Sequence, residues 1–84
     1  MKEYPISPSM QGPAIYRIRV EGSISPGWSE RLEGMNITSG SREDGKTETT
    51  LVGRLADQAA LAGLLNTLYE LHRPVLSVDC LEAG

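Results

Sequence analysis

Hydrophobic residues change period partway along this chain, and the change is abrupt. Over residues 57–73, Leu61, Leu64, Leu65, Leu68 and Leu71 or His72 recur at the i, i+3, i+4, i+7 spacing of an amphipathic helix. Asp57 is a good N-cap, Arg73 suits the C-terminal end of the helix dipole, and Pro74 forbids continuation. On either side the period is two. In residues 14–22, Tyr16, Ile18 and Val20 alternate with Arg17, Arg19 and Glu21, the pattern of a half-buried strand. Met35 and Ile37 point inward from a second strand over 35–39, and Thr49, Leu51, Gly53 and Leu55 share a face of a third over 47–55. A final strand over 75–81 sets Leu76, Val78 and Cys80 inward, with Val75, Ser77, Asp79 and Leu81 on the other face.

Between the first two strands, residues 23–33 have room for only one or two helical turns before Gly34. Ser25 can cap them, Pro26 suits the first helical position, and Trp28 and Leu32, four apart, pack inward. The order is therefore strand, short helix, strand, strand, long helix, strand. With right-handed crossovers this predicts an α+β, ferredoxin-like split β-α-β sandwich: a four-stranded antiparallel sheet with one long and one short helix. A four-stranded meander backed by the long helix is the alternative. Residues 14–84 form the single α+β domain, and residues 1–13, with three prolines and no period, read as a flexible N-terminal tail.

An 84-residue chain folds as one small domain. A domain of this size buries only about 60% of its unfolded surface, which predicts marginal stability alone and favours a homodimer. Eight Lys+Arg against eleven Asp+Glu give a net charge of −3, and the basic residues are scattered, which argues against nucleic acid as a partner. No apolar run approaches the roughly 18–20 residues of a membrane span. The N-terminus has no apolar h-region, and the single cysteine forms no internal disulfide. The cytoplasm is the expected compartment, with no membrane partner.

Several runs resemble a known family. They are Tyr16-Arg-Ile-Arg-Val-Glu-Gly22, Trp28-Ser29, Gly34-Met-Asn-Ile-Thr38, Asp44-Gly45, Leu51-Val-Gly53, Asp57-Gln-Ala-Ala-Leu61, Gly63-Leu-Leu65 and Leu76-Ser-Val78. Together they resemble a widespread family of short, stand-alone, uncharacterised bacterial proteins, over about residues 16–78. The resemblance implies a small bacterial cytoplasmic domain and brings no activity with it.

The chemically suggestive motifs read mostly as structure. Gly40-Ser-Arg-Glu-Asp-Gly-Lys46-Thr47 matches the P-loop pattern G-x-x-x-x-G-K-[ST], but the residues after it are strand formers, not a helix start. Asp44-Gly45 instead signals a hairpin turn. Asn36-Ile37-Thr38 is a glycosylation sequon inside an expected strand, without meaning in the cytoplasm. His72, the only histidine, fits a surface turn at the helix end. Cys80 reads as a buried, inert thiol. One His and one Cys do not build a transition-metal site, so neither metal nor cofactor is expected. Trp28 reads as a lid on the core, and a ligand crevice, if any, lies between it and the long helix.

The sheet face opposite the helices mixes β-branched residues with charges of both signs. Arg17, Arg19, Thr50, Arg54, Ser77 and Asp79 are its candidate interface residues. The chain therefore reads as a non-enzymatic, homodimeric protein-interaction module, whose sheet face or strand edge meets a partner. The alternative is a small-ligand sensor of ACT-like type, with Ser25-Pro-Gly-Trp28 at the ligand turn. A small enzyme of the dimeric α+β barrel type ranks last, because no acid–base set is evident.

Overall fold

A computed structural model describes residues 12–83. The strand β1 (Ala14–Glu21) runs through the middle of the sheet, and its alternation does what period two demands: Ala14, Tyr16, Ile18 and Val20 are buried against the helical layer. It is flanked by β3 (Thr47–Leu55) on one side and β4 (Val75–Ala83) on the other, and β2 (Asn36–Ser41) lies beyond β3. The order is β2-β3-β1-β4, with every neighbouring pair antiparallel. A meander would keep the strands in chain order, so that alternative is excluded. The chain is α+β, with a four-stranded antiparallel sheet and one main helix, α1 (Gln58–Glu70). Most of the tail expected over 1–13 lies outside the described residues.

The short crossover is a 3-10 helix over Pro26–Leu32. Ser25 caps it by accepting from the Gly27 N–H at 3.3 Å, and Pro26 occupies its start. A 3-10 helix rises about 2.0 Å per residue against 1.5 Å in an α-helix, so it spans a strand's length with fewer residues. The connection stops sharply. Glu33 and Gly34 both take positive φ, 60° and 71°, and the Gly34 N–H reaches back to Ser29 O at 2.7 Å.

Two unforeseen contacts lock β3 to its surroundings. Thr49, fully buried, donates its hydroxyl to Gly22 O at 2.6 Å and accepts from the Ile24 N–H at 3.1 Å. Ser39 Oγ lies 2.9 Å from the same oxygen; with the Thr49 proton already given to Gly22, Ser39 is the donor. Gly53 lets the Met35 backbone approach, for a Cβ there would sit 3.1 Å from Met35 Cα.

Helix α1 is shorter than its hydrophobic period. Asp57 caps it from the Ala60 N–H at 2.9 Å, while Leu64 and Leu68 are buried and Leu61 and Leu65 pack on the edge of the core. Its C-terminus is a Schellman motif: the His72 N–H donates to Tyr69 O at 3.0 Å and the Arg73 N–H to Leu68 O at 3.1 Å. His72 holds the left-handed position, at φ 58°. Arg73 has left the helix altogether, and its Nε donates to Ser23 O at 3.2 Å.

β4 departs most from expectation. Its pairing with β1 slips twice, once beside Val75 and once beside Cys80, leaving Leu76 and Leu81 without partners in the register. The first slip moves Val75 to the helix side, opposite Val20, rather than to the outer face. Cys80 does share the face of Tyr16, but it is exposed, not buried. The cause is reach: α1 packs chiefly on β3 and the 3-10 helix, and Val78 is the β4 side chain that packs against the buried core.

Candidate functional site

The six residues expected at an interface do share the outer face of the sheet. Arg17 lies between Val52 and Asp79, Arg19 between Thr50 and Ser77, and Arg54 opposite Ile15. Their charges are largely satisfied within the face. Arg17 reaches Asp79 at 3.3 Å, and Arg19 grips Glu48 with two bonds, at 2.6 and 3.1 Å. That grip holds the Glu48 carboxyl below the usual carboxylate range and raises the Arg19 guanidinium. Glu48 and Glu21 face each other directly across β1 and β3, a repulsive arrangement. Arg42 relieves it by lying 3.2 Å from Glu21 and 4.0 Å from Glu48. Among the described residues no ion pair reaches Arg54, and Ser77 Oγ is buried without a hydrogen-bond partner.

The segment that imitates a P-loop is a hairpin turn between β2 and β3. The Arg42 N–H donates to Lys46 O at 2.7 Å and the Gly45 N–H to Arg42 O at 3.0 Å, with Gly45 at φ 84°. Asp44 accepts from Arg42 and from the Lys46 N–H at 3.0 Å, contacts that hold its carboxyl low. A carboxylate thus takes up a backbone N–H of the sort that would cradle phosphate, and a strand follows where a helix N-terminus is required.

Trp28 is half-buried on the core, with Arg31 over its ring at 5.4 Å from the centroid. Together with Thr67, Glu70 and Leu71 of the long-helix end, these two residues line a shallow groove. Arg31 occupies the ring face on which a flat ligand would stack. His72 stands at the Schellman turn, on the rim of the groove beside Tyr69 and Val75. Among the described residues no three His, Cys, Asp or Glu side chains gather as a metal site, and no helix is long and apolar enough to cross a membrane.

The feature missed in the sequence is the open side of β4. Among the described residues the exposed large hydrophobics are Tyr69 at 79%, Leu81 at 47%, Leu76 at 41% and Val75 at 38%, and all lie on β4 or on the helix turn beside it. Tyr69 and Val75 border a mostly apolar groove with Leu65, His72, Arg73 and Pro74. The opposite edge differs: β2 has six residues, and of these only Ile37 is buried while the rest are exposed Asn, Thr, Ser and Gly. The legible signal was a pair of apolar doublets, Val75-Leu76 and Cys80-Leu81, each breaking the alternation where the strand bulges.

No curated protein and no solved structure matches the chain. A family model does match over residues 15–79, that of a domain of unknown function, DUF8691, and the chain belongs to that family.

Proposed function

We propose that this domain is a non-catalytic self-association module that pairs through the open edge of β4 and the groove beside it. The observation that carries the reading is the gathering of Tyr69, Val75, Leu76 and Leu81 along one nine-residue edge strand and its flank. Natural edge strands are ordinarily short, charged or covered, because unpaired N–H and C=O groups invite pairing. β4 is long, none of the described strands pairs with its outer edge, and it carries its two acids, Asp79 and Glu82, among apolar residues. The outer sheet face is the weaker candidate, since Arg17, Arg19 and Arg42 already have carboxylate partners.

The interleaving of the two halves, with β3 between β1 and β2 and β1 between β3 and β4, supports reading the fold as a ferredoxin-like split β-α-β whose first helix has shrunk to 3-10. Net charge of −3, arginines tied to carboxylates and a sheet face without aromatics all speak against nucleic acid. A lone, exposed thiol suits a reducing cytoplasm. A ligand sensor built on the Trp28 groove is disfavoured by Arg31 lying over the ring.

Light scattering across a concentration series tests the association. The expected result is a dimer that dissociates on dilution, and a Leu76→Lys variant that stays monomeric while remaining folded by circular dichroism. A wild-type monomer at every concentration overturns the reading, as does a dimer that Leu76→Lys leaves intact.

A further inference from the structure

Resting on that reading, we infer that the partner of β4 is the β4 of a second copy, paired antiparallel with Val78 on the two-fold axis. The backbone supplies the first constraint. The Glu21 N–H donates toward β4, to Pro74 O at 2.9 Å, while the Gly22 N–H donates toward β3, to Thr47 O at 2.9 Å. Alternation along β1 therefore turns Arg17 and Arg19 toward β4, and with them their partners Asp79 and Ser77 toward β1. Val78 and Cys80 carry the opposite parity. Their N–H and C=O groups face the open edge, so a closing strand must bond to these residues.

Side chains then select the register, because directly opposed residues dominate pairing. With Val78 opposite its own symmetry mate, Leu76 meets Cys80 of the second copy, Val75 meets Leu81, and Ser77 meets Asp79. Exposed apolar residues face each other, and Glu82 comes beside the Arg73-Pro74 end of the other strand, where opposite charges meet. The two bulges, at Leu76 and Leu81, sit nearly symmetrically about Val78, so each kink in one strand falls near a kink in the other. Shifting the axis to Asp79 keeps the backbone parity but sets two carboxylates face to face and Leu76 against Glu82. Moving it to Cys80 sets Val78 against Glu82 and Leu81 against Asp79. The register centred on Val78 opposes none of Val75, Leu76, Val78 and Leu81 with a charge.

Cysteine cross-linking reads the register, and light scattering on the same samples reads the dimer. Two full-length variants, S77C/C80S and D79C/C80S, are mixed dilute, concentrated and oxidised. Positions 77 and 79 of the two copies form a pair without direct backbone bonds, with Cα atoms about 4.5 Å apart, within disulfide range. A covalent dimer is expected in the mixture and to a much smaller extent in either variant alone. The wild-type protein is expected to remain uncross-linked, because Cys80 stands four residues out of step, roughly 13 Å, from its symmetry mate. A dimer that cross-links efficiently through native Cys80, or one that yields no disulfide in the mixture, overturns the register but spares association. A monomer at all concentrations overturns both.

Discussion

The two edges of this sheet have been treated in opposite ways. On the β2 side the strand is short, its exposed residues are small and polar, and the hairpin to β3 is tied down by Arg42, Asp44 and the buried Thr49. On the β4 side the strand is longer, slips twice against β1, and leaves apolar side chains and an exposed thiol at the surface. The first edge is tied down by its own hairpin, and the second leaves apolar side chains exposed among the described residues. In a domain this small the difference teaches where surplus apolar area has been left, since a core of about a dozen side chains has little room to absorb it.

The sharpest way to break the closed side is Thr49→Val. The substitution keeps the shape of the side chain but strands the Ile24 N–H and Gly22 C=O in a buried site, and frees Ser39 of its acceptor. Orphaned buried polar groups cost about 1–3 kcal/mol each, so urea unfolding should show a loss of about 2 kcal/mol or more. Leu76→Lys on the open side is expected to leave monomer stability within about 0.5 kcal/mol of wild type, as surface changes usually do. Equal losses from the two would erase the distinction between a closed edge and an open one.

Acid should also act first on the closed side. Glu48 and Asp44 have carboxyls depressed by Arg19 and Arg42, and each therefore contributes stability above its unfolded pKa that is lost as pH falls through the depressed folded value. Stability is expected to be level from neutral pH to about pH 5 and to decline below about pH 4, near and under the ordinary carboxylate values. Glu48→Gln should shallow that decline in a pH series of thermal melts. An unchanged slope would mean that the Arg19 grip contributes nothing to folding.

Where the sequence was legible, one physical rule acted alone. Strict alternation placed Tyr16, Ile18 and Val20 inward, and an Asp-capped leucine period ended by proline placed α1, because no tertiary contact competed with either pattern. The six outer-face residues were brought together for the same reason: side chains of equal parity on paired strands share a face. Cys80 and Val75 were misplaced because a bulge shifts parity midway along a strand and because burial depends on how far the helix reaches. Neither is encoded in the alternation itself. Thr49 was grouped with the inward face without its role being seen, since its hydroxyl bonds residues some 25 positions away in sequence.

The smallest effect concerns the turn that borders the open edge. His72 occupies the left-handed position of the Schellman motif, at φ 58°, where glycine is the usual residue. A non-glycine residue there is strained by about 1–2 kcal/mol, while glycine costs about 0.4–1 kcal/mol in unfolded-chain entropy, so His72→Gly should stabilise the domain by about 0.5–1 kcal/mol. For a chain of this length that is a rise in melting temperature of roughly 2–8 °C. His72 also lines the apolar groove with Tyr69 and Val75, so the variant separates two roles for one residue. If the histidine serves only the turn, the melting temperature rises and the dilution profile of the dimer is unchanged. If its ring also contacts the second copy, the monomer gains stability while the dimer weakens, and the open edge extends past β4 onto the end of α1.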